Sequence, residues 1–422
     1  MNKMASVFRE KNFTKLFLAA FTSQMGGTIG LTAFMFYLLH RYSNQPVYAT
    51  ITELMFSLPA LAVFFMVGVA ADRLDRQKVA LYCDWICAGL SLLFILSLII
   101  QWIPLTFALL FLRSAVRNFF SPAESAIIQG ILTPEDYTTA AGLNQMVSSL
   151  FMLFGSGLGI FCYWHFGIRG AILIDVLGFI ISGFLIKSCR LSKEVRLPNG
   201  NHSLKDLNFS FVLSDFKVGI FYILKNKLLA SLICGFIVFG IINGAFSVMQ
   251  VFILKYKLEP SHYEEYSIVL GIVFGAGVLA GSVMASMLAQ KMKLYKMLVL
   301  GLLLSGIATA WGAVVPSTML YLISSGAVAL SLPMINVAIG GWMPRIVDPK
   351  MMGRVQGWVN PLMMMSQSGT LLLIAGFYPK YITVESLFWL VGSCLFFVGI
   401  FYSIILPRFI KKNAPLQTGV HA

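Results

Sequence analysis

The sequence predicts an all-α integral membrane protein with twelve transmembrane helices in two six-helix halves. Three observations carry that expectation. Apolar runs of about 18 or more residues recur along the whole chain, each long enough to cross a ~30 Å hydrocarbon core. The 422 residues are 58% hydrophobic and only 11% charged, with a mean hydropathy of +0.82, far from ordinary globular usage. One long polar stretch, residues 189–227, divides the runs six and six.

In chain order, the expected spans are 15–39, 47–70, 78–100, 104–127, 139–163 and 169–188, then 228–252, 266–289, 296–315, 317–342, 355–377 and 384–406. The first follows Lys3, Arg9, Lys11 and Lys15. It is too long for a signal-peptide core and no A-x-A-type site follows it, so no cleavable leader is expected. A short charged turn separates the second and third spans: Gly68, Asp72, Arg73, Arg76 and Lys78 lie within residues 68–79. The fourth carries Arg113 and Arg117, with Glu124 at its end, and the sixth carries Asp175. The fifth holds Gly155, Gly157 and Gly159, and the eighth Gly271, Gly275, Gly277 and Gly281. Small residues at such spacing let helix backbones approach closely. Domain limits follow as 1–188, a linker at 189–227, and 228–422. Within the linker, Val212, Phe216, Ile220 and Ile223 recur at helical spacing among Asp215, Lys217, Lys225 and Lys227, the pattern of an amphipathic helix at the inner leaflet.

Lysine and arginine placement sets the orientation. With the N-terminus inside, four lie before or at the start of the first span, three in loop 2–3, eight in or bordering the central loop, and three each in or bordering loop 8–9, loop 10–11 and the tail. The outer segments hold Arg41, Arg169, Lys255, Lys257 and Lys380, and Arg113 and Arg117 are within a span. Both termini are therefore expected in the cytoplasm. The formal charge of +14 is accounted for by topology and needs no nucleic-acid partner.

The turn at 68–79 resembles the loop 2–3 signature of the major facilitator superfamily, roughly G-x-x-x-D-R-x-x-R-[KR]. Phe119 to Ala123, Leu173-Ile174-Asp175 with Phe179, and Asp348 through Gly353-Arg354-Val355 are similar to the branch containing macrolide-efflux proteins and siderophore exporters. Two positions depart from it. Gln24-Met25-Gly26 is followed by Gly27 where relatives often carry an acid. The fifth span reads Gly155-Ser156-Gly157-Leu158-Gly159-Ile160 in place of roughly G-P-x-x-G-G.

The resemblance implies a multi-pass secondary transporter of the bacterial cytoplasmic membrane, monomeric and without a cofactor. Its reading is a proton-coupled exporter of a lipophilic or amphiphilic, macrolide-like molecule. The alternative is a siderophore or peptide-metabolite exporter. Spans 5 and 8 face one another across the halves in that family. Gly68, Asp72, Arg73, Arg76, Lys78 and Glu124 correspond to its cytoplasmic gate. Asp72 would also meet the positive N-terminal end of span 11.

Charges at membrane depth are functional hypotheses, since each costs a few kcal/mol unless paired. At ~1.5 Å per residue, Asp84 and Arg117 lie at comparable depth and read as a structural pair. Arg113 occupies the position of the superfamily's cavity-facing arginine, with Glu53 and Asp175 as candidate carboxyl partners. Burial favours a protonated carboxyl and a nearby guanidinium favours the ionised one, so these three are the proton-coupling candidates. A static pair holding the bundle is the alternative.

In this family spans 1, 4, 7 and 10 line the cavity. Gln24, Asn243 and Asn336 are then substrate-binding candidates, joined from span 11 by Asn360, Met364 and Gln367, with Met363 and Met365 flanking Met364. Flexible thioethers with a few amides suit a large amphiphilic ligand, although methionine also serves as packing filler. Enzyme chemistry has no support. The histidines at 40, 165, 202, 262 and 421 do not cluster, no nucleotide-binding loop is present, and the six scattered cysteines suggest no metal site.

Overall fold

A computed structural model describes residues 7–133, 136–197, 219–347 and 352–413. Among these the chain is helical throughout, with no strand. The elements are α1 (Lys11–Arg41), α2 (Val47–Arg73), α3 (Arg76–Ile100), α4 (Ile103–Arg117), α5 (Phe120–Ile131), α6 (Tyr137–Lys187) and α7 (Lys193–Arg196). They continue as α8 (Lys227–Ile253), a π-helical turn at Leu254–Leu258, α9 (Tyr263–Lys291), α10 (Leu294–Val314), α11 (Thr318–Ile346), α12 (Met352–Phe377) and α13 (Val384–Asn413).

Nine segments among the described residues are both long and apolar enough to cross a membrane. Helices α1 and α12, with 31 and 26 residues, also have the length but are too polar to qualify on composition. Helix α6 covers the expected fifth and sixth spans. It turns at Gly167, whose φ of 64° and ψ of −179° suit glycine alone. The expected fourth span is broken into α4 and α5 at Asn118 and Phe119. Pro122 explains the break: it has no N–H for the Asn118 carbonyl, and its ring crowds that carbonyl.

Helix α3 shows why these elements belong in lipid. It buries Asp84, Cys87, Ser91 and Ser97 while Leu92, Leu96, Ile99 and Ile100 are exposed. A water-soluble helix would invert that arrangement.

The chain forms two compact units, Met1–Phe209 and Ser210–Ala422. In the first, α1 packs on α6, α3 on α4 and α6, and α2 on α4. In the second, α8 packs on α12, α10 on α11 and α13, and α9 on α11. The two lists follow one neighbour pattern, so each unit repeats the other's packing.

The glycines of the fifth and eighth expected spans serve contacts inside their own units. A Cβ on Gly155 or Gly159 would fall 2.7 Å or 2.5 Å from the side chains of Thr28 or Thr32 on α1. One on Gly277 or Gly281 would fall 2.7 Å or 2.4 Å from Ala329 or Leu330 on α11. Of the proposed amphipathic helix, Val212 and Phe216 lie outside the described residues; residues 219–225 are helical, with Ile223 buried.

Candidate functional site

The polar core of the first unit is built from four helices. On α3, Asp84, Cys87 and Ser91 follow at steps of three and four and so share one face. On α4, Arg113 and Arg117 are one turn apart. Helix α1 contributes Ser23, and α6 contributes Asp175 and Ser182.

Asp175 is completely buried and Arg113 is nearly so. Arg113 Nη1 donates to Asp175 Oδ2, forming the ion pair. Ser91 Oγ donates to the same oxygen at 2.8 Å and lies 3.2 Å from Arg113 Nη1. Asp175 Oδ1 has no hydrogen-bond partner. Room for this carboxylate comes from glycines on α1: a Cβ on Gly26 would stand 3.0 Å from Asp175 Cα, and one on Gly30 3.0 Å from Asp175 Cβ. Glu53, half-buried on α2, is not brought to this pair.

A second ion pair lies beside the first. Asp84, also fully buried, accepts from Ser23 Oγ at 3.0 Å, from Ser182 Oγ, and from Arg117 Nη1 at 3.4 Å. The Phe179 ring lies 5.7 Å from both guanidinium carbons, and Phe120 lies 4.3 Å from that of Arg117. Glu124 is buried on α5 with Arg117 and Asp84 as its electrostatic neighbours. Its Oε1 has no hydrogen-bond partner.

At the turn between α2 and α3, Asp75 is the N-cap of α3 and accepts from Lys78 N at 3.2 Å. Its carboxylate also forms an ion pair with Arg196 of α7, whose Nε donates at 3.2 Å. That carboxylate raises the Arg196 guanidinium further above its usual pKa. Arg76 donates to the Ala126 carbonyl on α5 at 3.2 Å, and Lys78 is exposed. Gly68 and the side chains of Asp72 and Arg73 are outside the described set.

The substrate-binding candidates are dispersed. Gln24 is half-buried on α1. Asn243, on α8, and Asn336, on α11, are exposed. On α12, Asn360 is exposed and Met364 and Gln367 are half-buried. The packing of α8 on α12 makes neighbours of the helices that carry Asn243 and the 360–367 run. An apolar groove of 430 Å³ in the second unit is lined by Met284, Leu304, Ile307, Trp311 and Met334 among others, and none of these candidates borders it.

Sequence reading did not single out the serines or the Asp75–Arg196 pair. The step from Asp84 to Ser91 along one face of α3 was the available signal. The partner serines on α1 and α6 become visible only once the helices cross.

A family model for the Major Facilitator Superfamily matches residues 16–366. The chain belongs to that superfamily. It is a multi-pass membrane transporter. An uncharacterized MFS-type transporter, YkuC of Bacillus subtilis strain 168, is 48% identical over 96% of this chain and 94% of its own length. Macrolide efflux protein A of Streptococcus pyogenes is 23% identical over 87% of this chain and 89% of its own. Among solved structures, a POT family transporter in complex with a thioalcohol-conjugated peptide superposes with a TM-score of 0.73. It is 12% identical and covers 94% of this chain and 96% of its own. A point mutant of the nucleoside transporter NupG gives 0.69 at 11% identity, over 92% of this chain and 98% of its own. These likenesses show the superfamily fold.

Proposed function

We propose that this superfamily member is a proton-coupled exporter of a lipophilic or amphiphilic small molecule, working by alternating access in the bacterial cytoplasmic membrane with both termini inside. The observation that carries the proposal is the buried Arg113–Asp175 pair with Asp175 Oδ1 left without a donor. A carboxylate so placed has one oxygen held by a cation and one open to a proton, so making and breaking the pair converts protonation into a change of packing. No nucleotide-binding loop exists in the sequence, so the energy comes from a gradient. Efflux is favoured by the similarity to macrolide efflux protein A.

Cargo contact is assigned to Gln24, Asn243, Asn336, Asn360, Met364 and Gln367. The polarity of α1 and α12 supports this for Gln24, Asn360 and Gln367. A long helix in a membrane keeps amides only where they face protein or water. Gly68, Asp72, Arg73, Arg76, Lys78 and Glu124 form the cytoplasmic gate, and Glu53 is a second coupling candidate.

Purified protein in proteoliposomes, loaded with a fluorescent amphiphilic dye and given an imposed pH gradient, tests the proposal. Wild type concentrates the dye against its gradient, and Asp175→Asn and Arg113→Ala each lower that at least tenfold. Wild-type rates indifferent to the pH gradient would sink proton coupling.

A further inference from the structure

The first unit encloses three carboxyl groups, Asp84, Asp175 and Glu124, beside two guanidiniums, Arg113 and Arg117. Arginine does not lose its proton in proteins. If all three acids were ionised, the cluster would hold one uncompensated negative charge. An unpaired buried charge costs several kcal/mol, and a group in that position takes up a proton instead. One proton therefore belongs to the cluster in this conformation.

Its location follows from the donors. Asp84 receives three: two serine hydroxyls and Arg117. Asp175 receives Arg113 and Ser91. Donors aimed at a carboxylate favour its ionised form. Glu124 is nine-tenths buried, makes no ion pair within 4 Å among the described residues, and has Oε1 without a partner.

Among the described charged groups, Arg117 and Asp84 are the electrostatic neighbours of Glu124, and the others on elements packed against α5 are directed elsewhere or exposed. Arg76 on α3 donates to the Ala126 carbonyl, Lys15 on α1 to the Ser188 carbonyl at 2.7 Å, and Arg196 on α7 pairs with Asp75. Lys11, Lys78, Lys193 and Glu194 are exposed. On α2, Glu53 lies about five turns from the gate, and the Asp72 and Arg73 side chains are outside the described set.

We propose that Glu124 is a proton-binding site that stores this single proton, and that Arg117 decides which carboxyl holds it. Arg117 suits that role. Its side chain is 30% exposed and its bond to Asp84 is a long 3.4 Å, and it sits where α4 breaks from α5. A shift of the guanidinium from Asp84 toward Glu124 ionises Glu124 and leaves Asp84 as the acid lacking a cation. The proton then moves to Asp84 or leaves from Glu124, with the number of charges unchanged in the first case. This deepens the proposed proton coupling and rests on it.

Infrared spectroscopy of the purified protein in lipid at neutral pH reads the protonated-carboxyl C=O band directly. In a Glu53→Gln background, which removes the other membrane-depth carboxyl without an ion pair, the protein should show such a band, shifted in D2O. Glu124→Gln should remove it, Glu124→Asp should move it without loss, and Asp84→Asn should remove it too, because Arg117 released from Asp84 then balances an ionised Glu124. A band that persists in Glu124→Gln, or vanishes only in Asp175→Asn, overturns the assignment. The Glu124→Asp shift keeps the test decisive if Glu124→Gln does not fold. The liposome assay distinguishes the two levels: a misassigned band with intact pH-driven transport refutes only the storage site, whereas transport indifferent to pH refutes the coupling itself.

Discussion

Asp175 owes its position to residues that have no side chain. Position 27, where relatives often carry an acid on the first span, is glycine; a Cβ there would stand 3.9 Å from Asp175 Oδ1. Carboxyl chemistry is thus supplied from α6 into space that α1 leaves open. At Gly30 the clearance is smaller, with a Cβ 3.0 Å from Asp175 Cβ and 3.3 Å from its Cγ. Gly30→Val should therefore displace the carboxylate, cost about 1–3 kcal/mol through overpacking, and lower gradient-driven transport as much as Asp175→Asn. Gly27→Ala sits at ordinary contact distance and should match wild type in both thermal melting and transport. At this scale the sequence revealed the charges, because a charge in an apolar run is conspicuous. It concealed Ser23, Ser91 and Ser182, because serine is common in membrane helices and its meaning here depends on which helix crosses which.

Among the elements, the start of α3 joins two jobs in one residue. Asp75 caps the helix and holds Arg196 of the short α7. Removing a cap of this kind costs about 1 kcal/mol, and the partly buried, two-pronged pair with Arg196 adds its own contribution. The two roles separate experimentally. Asp75→Ala and Arg196→Ala should both speed proteolytic cleavage of the linker, but only Asp75→Ala should speed amide exchange in the first turn of α3. Equal exchange in the two variants would refute the division. The position and length of the long helices were legible from apolar runs alone. The break between α4 and α5 was not, although Pro122 stands in plain view, because hydropathy is blind to a missing N–H.

For the molecule as a whole, the shared neighbour pattern of the two units makes the chain two copies of one packing plan. Orientation is checked by labelling. Gln77 is a poor probe, since its Nε2 is held by the Ile186 and Cys189 carbonyls at 2.9 and 3.0 Å. Exposed Lys78 serves better. Lys78→Cys should resist a membrane-impermeant maleimide in intact cells and react in inverted vesicles; efficient labelling from outside would reverse the topology. The crossing at Ile103–Ile131 is the least apolar of the nine and carries both guanidiniums, whose anions lie on either side of it in the chain. Asp84 is synthesised before Arg113, but Asp175 follows 62 residues later. Until then Arg113 has no counter-ion, and an arginine at mid-membrane costs about 2.5–3.5 kcal/mol during insertion. The fourth helix should accordingly wait at the translocon for the sixth. Nascent chains arrested before residue 175, or carrying Asp175→Asn, should integrate it less completely than chains long enough to deliver the acid.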